Sequence, residues 1–313
     1  MTKKIVITGA AGMVAQNLIP ILINKNYEVI ALDKNKNNLD LLKELNPKAK
    51  TFCVDLAKKG KWMKEFKNAY AIIDLKAQIA SKDEKSFSKN NIEAQKKIIE
   101  ACKTYEVKKL IHVSSSVVIS VANDFYTKTK RKCEELVHES NIPHIILRPT
   151  LMYGCFDVKH LDWVASIMEK TPILPFPGNG KIIRQPLYCI DFCNILIRCV
   201  ERQPDNKIYN VVGKEKLYFI DLMKKIMKEK KIKSIIIPTP MPFFSFMLKV
   251  YTFILRKPTI TNDQLTALTA GDIFPIEPWE ETFGVKYTKF NEGIRKVYRS
   301  PFYKYTKRMI SPN

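Results

Sequence analysis

The stretch KKIVITGAAGMVA, residues 3–15, decides the fold. Its first half is a short apolar run of the kind a buried parallel strand needs. Its second half sets Gly9, Gly12 and Ala15 in a G-x-x-G-x-x-A arrangement that opens an amphipathic helix. Glycine at such a turn lets the backbone approach a pyrophosphate, which then rests on the helix N-terminus, where free N–H groups and the helix dipole favour anions. Gly9, Ala11, Gly12, Met13 and Val14 are the residues expected to line that cradle.

Working outward, the same alternation repeats. YEVIAL (27–32), AKTFCV (49–54), YAIIDL (70–75), KLIHVSS (109–115) and PHIILR (143–148) read as further buried strands. Between them, MVAQNLIPILINKN and SKNNIEAQKKIIEACKTY carry apolar residues at three- and four-residue spacing, so each can bury one face on a sheet. The pattern predicts an α/β fold, a Rossmann-type doubly wound parallel sheet. Past residue 155 it gives way to Pro-rich connections, TPILPFPGNG and IIIPTPMPFF. A chain of 313 residues also exceeds the usual single core. We therefore expect a dinucleotide-binding domain over 1–155, with 181–213 contributing to it, and a smaller substrate lobe from 156–180 and 214–313.

The second strand ends in Asp33, about 20 residues beyond the glycine turn, where a carboxylate can bind a ribose 2'-hydroxyl. That carboxylate repels a 2'-phosphate and so favours NAD, although Lys34 and Lys36 leave NADP open. Asp55 and Leu56 close the third strand; Asp74, Leu75, Lys76 and Ala77 close the fourth. All lie at carboxyl ends of strands, the edge where such sheets bind ligands.

Residues 124–132, DFYTKTKRK, hold a Tyr-x-x-x-Lys pair. With 44 lysines and 13 tyrosines, roughly two such pairs arise by chance, and the chain has three: Tyr105/Lys109, Tyr126/Lys130 and Tyr303/Lys307. Only the middle one follows a Ser-rich fifth strand and precedes a sixth. On a helix its two side chains share a face, and a nearby ammonium lowers a phenol pKa toward that of a useful general base.

HVSSSVVIS (112–120), Tyr126/Lys130, RPTLMYG (148–154) and GNGKIIRQPLYCIDF (178–192) together resemble the extended short-chain dehydrogenase/reductase family, in its NAD-dependent epimerase/dehydratase branch. The resemblance covers residues 3 to 213. It implies that Ser116, with Ser115 as runner-up, hydrogen-bonds the reacting oxygen, that Lys130 also binds the nicotinamide ribose, and that Pro149 borders the cofactor. It implies a nucleotide-sugar substrate, with Arg184 on the diphosphate. Relatives that dehydrate sugars carry an Asp-Glu pair after the catalytic serine or threonine; Val117 and Val118 stand here, which favours epimerase or ketoreductase chemistry. A sterol-like or quinone-linked substrate is one alternative. A non-catalytic dinucleotide-binding subunit is another, because PMPFFSFMLKVYTFILRK (240–257) and TITNDQLTALTAGD (259–272) resemble the complex I accessory branch.

The net charge of +22 is spread over every segment without an aromatic-interleaved basic helix, so nucleic acid is not the expected partner. An anionic substrate or an acidic membrane surface fits better, the membrane met through the apolar stretch from Pro242 to Leu255 and the basic tail after Glu292; the alternative is that the Phe-rich stretch roofs the substrate cleft and the tail is solvated. A homodimer is compatible with the family. Seven cysteines, none in CxxC spacing, read as reduced core thiols with no metal site. The N-terminus enters a strand at once, so a cytoplasmic protein is expected, peripheral to the inner face of a membrane if the apolar stretch docks there.

Overall fold

In the computed structural model, residues 2–79, 81, 83–121, 123–247, 271 and 273–310 are described. The six predicted strands form as β1 (Lys4–Thr8), β2 (Glu28–Asp33), β3 (Lys50–Cys53), β4 (Ala71–Asp74), β5 (Leu110–Val113) and β6 (His144–Pro149). They are followed by β7 (Met152–Tyr153), β8 (Ile173–Pro177), β9 (Ile183–Arg184), β10 (Leu187–Tyr188), β11 (Lys207–Val211), β12 (Leu217–Tyr218) and β13 (Ile235–Thr239). One seven-stranded parallel sheet runs β11-β6-β5-β4-β1-β2-β3. The strand order reverses at β1, between β2 and β4, which opens a crevice at the carboxyl ends of β1 and β4.

Alternate side chains leave the sheet on opposite faces. Ile5, Ile7, Ile73 and Ile111 pack beneath α1 (Met13–Asn24) and, later in the chain, Cys189–Glu201. Val6, Ile72, Leu110 and Ile146 pack against Trp62, Phe66 and the helix Ala94–Thr104. Each buried isoleucine contributes about 1.5–3 kcal/mol, so both faces of the sheet are locked to helices. The remaining helices are α2 (Lys36–Leu45), α3 (Glu84–Phe87), α4 (Ala94–Thr104), α5 (Phe125–Glu139), α6 (Leu161–Met168), α7 (Cys189–Glu201) and α8 (Phe219–Lys230), then Trp279–Phe283, Phe290–Arg299 and Tyr303–Thr306. A π-helical turn, Ser88–Glu93, joins α3 to α4. It buries Asn91, whose amide receives Gln78 N–H and donates to Thr129 Oγ1.

A third apolar cluster builds the other lobe from α6, α8, β8 and Phe290–Arg299, with Phe176, Leu222, Met223 and Ile294 inside. Trp279 and Phe283 return to the sheet side instead. Two sequence expectations need correction. Six cysteines are buried but Cys53 is exposed, because it ends β3 at the sheet edge. The C-terminal basic segment is not a solvated tail: Ile294 and Val297 are buried, Arg308 pairs with Glu44 at 2.6 Å, and Tyr303 donates to Asp162. Residues 241–247 are helical, and 248–257 and nearly all of 259–272 lie outside the described residues.

Candidate active site

The glycine turn fits an anionic cofactor. Gly9 has φ +70°, and a Cβ there would lie 2.6–2.7 Å from the backbone of Leu75 and Lys76. Only glycine lets β1 and β4 close this tightly. Gly12 is the N-cap of α1 and supplies no capping side chain, so the first-turn amides of Met13 and Val14 are left for a ligand. Asp33, at the end of β2, accepts from the Ala11 amide at 3.1 Å and the Asn35 amide at 2.8 Å. These bonds aim its carboxylate across the turn. Burial raises its pKa, against those amides and Lys34. The structure adds a residue that sequence reasoning missed: Lys159, from the loop after β7, sits near Asp33 and Lys34, and burial pushes its ammonium down to about 8. No spacing rule could connect it to β2.

The other cofactor candidates divide. Asp55 pairs with Lys89 at 3.1 Å, Leu56 is core, Leu75 is half-buried, Ala77 is exposed, and Pro149 is buried at the end of β6. Lys76 departs from expectation. Its backbone borders Gly9, but its ammonium turns into the core, to Asp74 Oδ2 at 3.3 Å and Gln95 Oε1 at 2.7 Å.

Asp124 caps α5, accepting from the Thr127 amide at 2.7 Å, which fixes Tyr126 in the first turn and Lys130 one turn on. Ser115 follows β5 and caps the 3-10 turn Ser116–Ile119. Of the two candidate serines, it is Ser115 that acts on the Tyr126 phenol, lowering its pKa, while its own oxygen accepts from the Val117 amide; Ser116 is buried in that turn. Lys130 is buried, with Nζ on the Val113 carbonyl at 2.8 Å. The expectation that Lys130 lowers the phenol pKa is not met. Burial pushes Tyr126 up to about 12, against the lowering effect of Ser115. Burial also lowers the Lys130 pKa, with Lys76 acting the same way and Cys133 and Asp74 opposing.

Below this set, Thr8, Asp74 and His112 stand in register on β1, β4 and β5. Asp74 is fully buried and receives Thr8 Oγ1 at 2.6 Å and His112 Nδ1 at 2.8 Å. Burial alone would raise its carboxyl, yet Lys76, His112 and Thr8 together hold it well below the usual carboxylate range. Burial and Lys130 push His112 down to about 4 against Asp74, so its ring is neutral and donates through Nδ1. Arg184 lies on β9, its guanidinium 5.9 Å from the Phe219 ring centroid. Tyr105/Lys109 does structural work: Lys109 is buried, donating to the Val200 carbonyl at 2.5 Å over the Tyr70 ring.

The profile of the NAD dependent epimerase/dehydratase family matches residues 5–212. A putative UDP-glucose 4-epimerase of Methanocaldococcus jannaschii is 32% identical over 246 residues, 67% of this chain and 77% of that one. A trifunctional UDP-glucose 4,6-dehydratase/UDP-4-keto-6-deoxy-D-glucose 3,5-epimerase/UDP-4-keto-L-rhamnose-reductase of Arabidopsis thaliana is 27% identical over 262 residues, 72% of this chain. That match spans only 39% of the plant protein. Among solved structures, the UDP-glucose 4-epimerase of Thermotoga maritima superposes with a TM-score of 0.76 at 18% identity, covering 97% of this chain and 99% of that one. At that identity the likeness carries the fold.

Proposed function

The chain belongs to the NAD dependent epimerase/dehydratase family, and from that premise we propose that it interconverts an alcohol and a ketone on a nucleotide-activated sugar, as an epimerase or ketoreductase. The observation that carries this reading is Tyr126 in the first turn of α5 with Lys130 one helical turn on, its ammonium held to the carbonyl of Val113 at the end of β5, two residues before Ser115. A bound nicotinamide supplies the acceptor or donor of hydride. Tyr126, as phenolate, takes the proton of the substrate hydroxyl onto its oxygen; the O–H electron pair becomes the second C–O bond as the carbinol C–H bond breaks and its pair leaves with the hydride, and in reverse Tyr126 returns that proton. Ser115 donates to the reacting oxygen, with Ser116 the neighbour held in reserve by the triple-serine run. A phenol at about 12 is a poor base at neutral pH. Lys130 must therefore act on the Tyr126 phenolate as it forms, as well as hold the ribose.

Asp33 supports NAD over NADP, and Val117 and Val118 offer no acid or base for eliminating water. Arg184 is assigned to the diphosphate, and the substrate lobe to 156–180 and 214–313. No helix among the described residues is long and apolar enough to cross a membrane. Reversible contact with anionic lipid draws support from Ile173, Ile235, Ile237, Phe243 and Phe246, all more than 40% exposed, near exposed Lys170, Lys231 and Lys233.

Mass spectrometry of small molecules released by denaturing the purified protein tests the reading: NAD together with a nucleotide sugar is expected. Tyr126→Phe should keep NADH binding and lose about 100- to 10,000-fold in turnover on the sugar so identified. A variant retaining half the activity would remove Tyr126 from the role.

A further inference from the structure

Asp74 and Lys76 put two opposite charges into a layer that apolar side chains could have filled, directly under the Tyr126 helix. β1 contributes Thr8, β4 Asp74, the segment after β4 Lys76, β5 His112, α4 Gln95, and α5 Lys130, Cys133 and Glu134. Glu134 is taken by Arg148 at 2.5 Å, and burial keeps the Cys133 thiol protonated. His112 is neutral. What remains is one carboxylate, Asp74, and two ammonium groups, Lys76 and Lys130, each more than 90% buried.

A buried carboxylate draws in whichever ammonium can reach it. Asp74 acts on Lys130 as well as on Lys76, so both are within its field. Lys76, two residues along the same strand end, takes the contact, and Gln95 holds its nitrogen there. Lys130 stays 2.8 Å from the Val113 carbonyl, at the end of β5 and one turn from Tyr126. The surplus positive charge of the layer thus resides on the side of the reaction.

We propose that Lys76 is a positioning residue that occupies Asp74, so that the Lys130 ammonium remains at the Val113 carbonyl, free to serve the cofactor ribose and the Tyr126 oxygen. The proposal rests on the cofactor reading above. It predicts that removing Lys76 draws Lys130 down onto Asp74, whereas removing the Asp74 charge does not.

NADH is the probe, its binding followed by energy transfer from tryptophan at a temperature where circular dichroism shows every variant folded. Lys76→Met should weaken NADH at least about tenfold, the loss of one charge-assisted hydrogen bond, and approach the affinity of Lys130→Met. Asp74→Asn should stay within about threefold of the parent, although it too leaves a buried charge unpaired and lowers the melting temperature. The double variant Asp74→Asn/Lys76→Met should recover NADH affinity. A merely structural role for the pair predicts that both single variants lose affinity alike, and that pattern would overturn the proposal, as would parent-like binding by Lys76→Met. Should Lys76→Met fail to fold, Lys76→Gln, which keeps an amide donor without the charge, is expected to give the same loss. A parent protein that does not bind NADH would overturn the cofactor reading itself, and this proposal with it.

Discussion

Lowering the pH from 8 to 5.5 should destabilise the folded protein by about 1.4 kcal/mol through His112 alone. The ring is fully buried between Asp74 and the two lysines, and its pKa falls from 6.5 to about 4 on folding. A group whose folded pKa is depressed binds fewer protons when native, so protonation favours the unfolded chain. Its contribution is complete above pH 6.5 and is lost as pH falls toward 4, amounting to about 3 kcal/mol over the whole window. Asp74, held far below the usual range, stays ionised throughout and adds nothing above about pH 5. His160 is displaced in the same direction as His112, so a variant is needed to isolate one ring. His112→Asn places an amide nitrogen where Nδ1 stands, keeping the donor to Asp74 without a titrating group. Urea unfolding of both proteins at pH 8, 7, 6 and 5.5 would show the variant losing less stability by about 1.4 kcal/mol, whatever constant offset its smaller side chain introduces. Parallel curves would refute the reasoning. A parent that gains on the variant as pH falls would mean that Asp74 keeps the ring protonated.

Other outcomes follow from single positions. Gly9→Ala puts a methyl 2.6–2.7 Å from the Leu75–Lys76 backbone at a φ of +70°; NADH binding should be abolished and urea unfolding should show a loss of at least about 2 kcal/mol. Asp33→Asn should shift the ratio of NADP to NAD affinity in favour of NADP by about tenfold or more, because Lys34 and Lys159 remain to attract a 2'-phosphate; equal weakening of both would exclude this placement. Flotation with phosphatidylcholine vesicles containing phosphatidylserine should carry the protein upward, less so at high salt, and Phe243→Ser/Phe246→Ser should reduce it. Binding indifferent to lipid charge would dismiss the membrane contact.

The sheet was legible because its strands are continuous apolar runs: KKIVIT and PHIILR could bury two faces and nothing else. β11, KIYNV, was harder, since its lysine, tyrosine and asparagine suit the sheet edge it occupies. The Tyr126/Lys130 pair was separable from its two lookalikes by position along the strand order. The choice between Ser115 and Ser116 was not, for it depends on where β5 ends and the 3-10 turn begins. Asp74, Lys76 and Gln95 could be read as separate residues, but the register that sets Asp74 beside Thr8 and His112 is a property of the assembled sheet. Lys159 crosses from one lobe to the other, a meeting that no local pattern encodes.

The order in which the sheet is numbered also bears on how the protein is made. β1 to β6 arise from one unbroken run ending at Pro149, while β11 is contributed only after α6 and α7 have been passed. A chain emerging from the ribosome can therefore pair six strands, close the Gly9 turn against Lys76 and seat Lys130 before any of the second lobe exists. The dinucleotide cradle can assemble first, and the lobe assigned to the sugar then folds against a surface already in place.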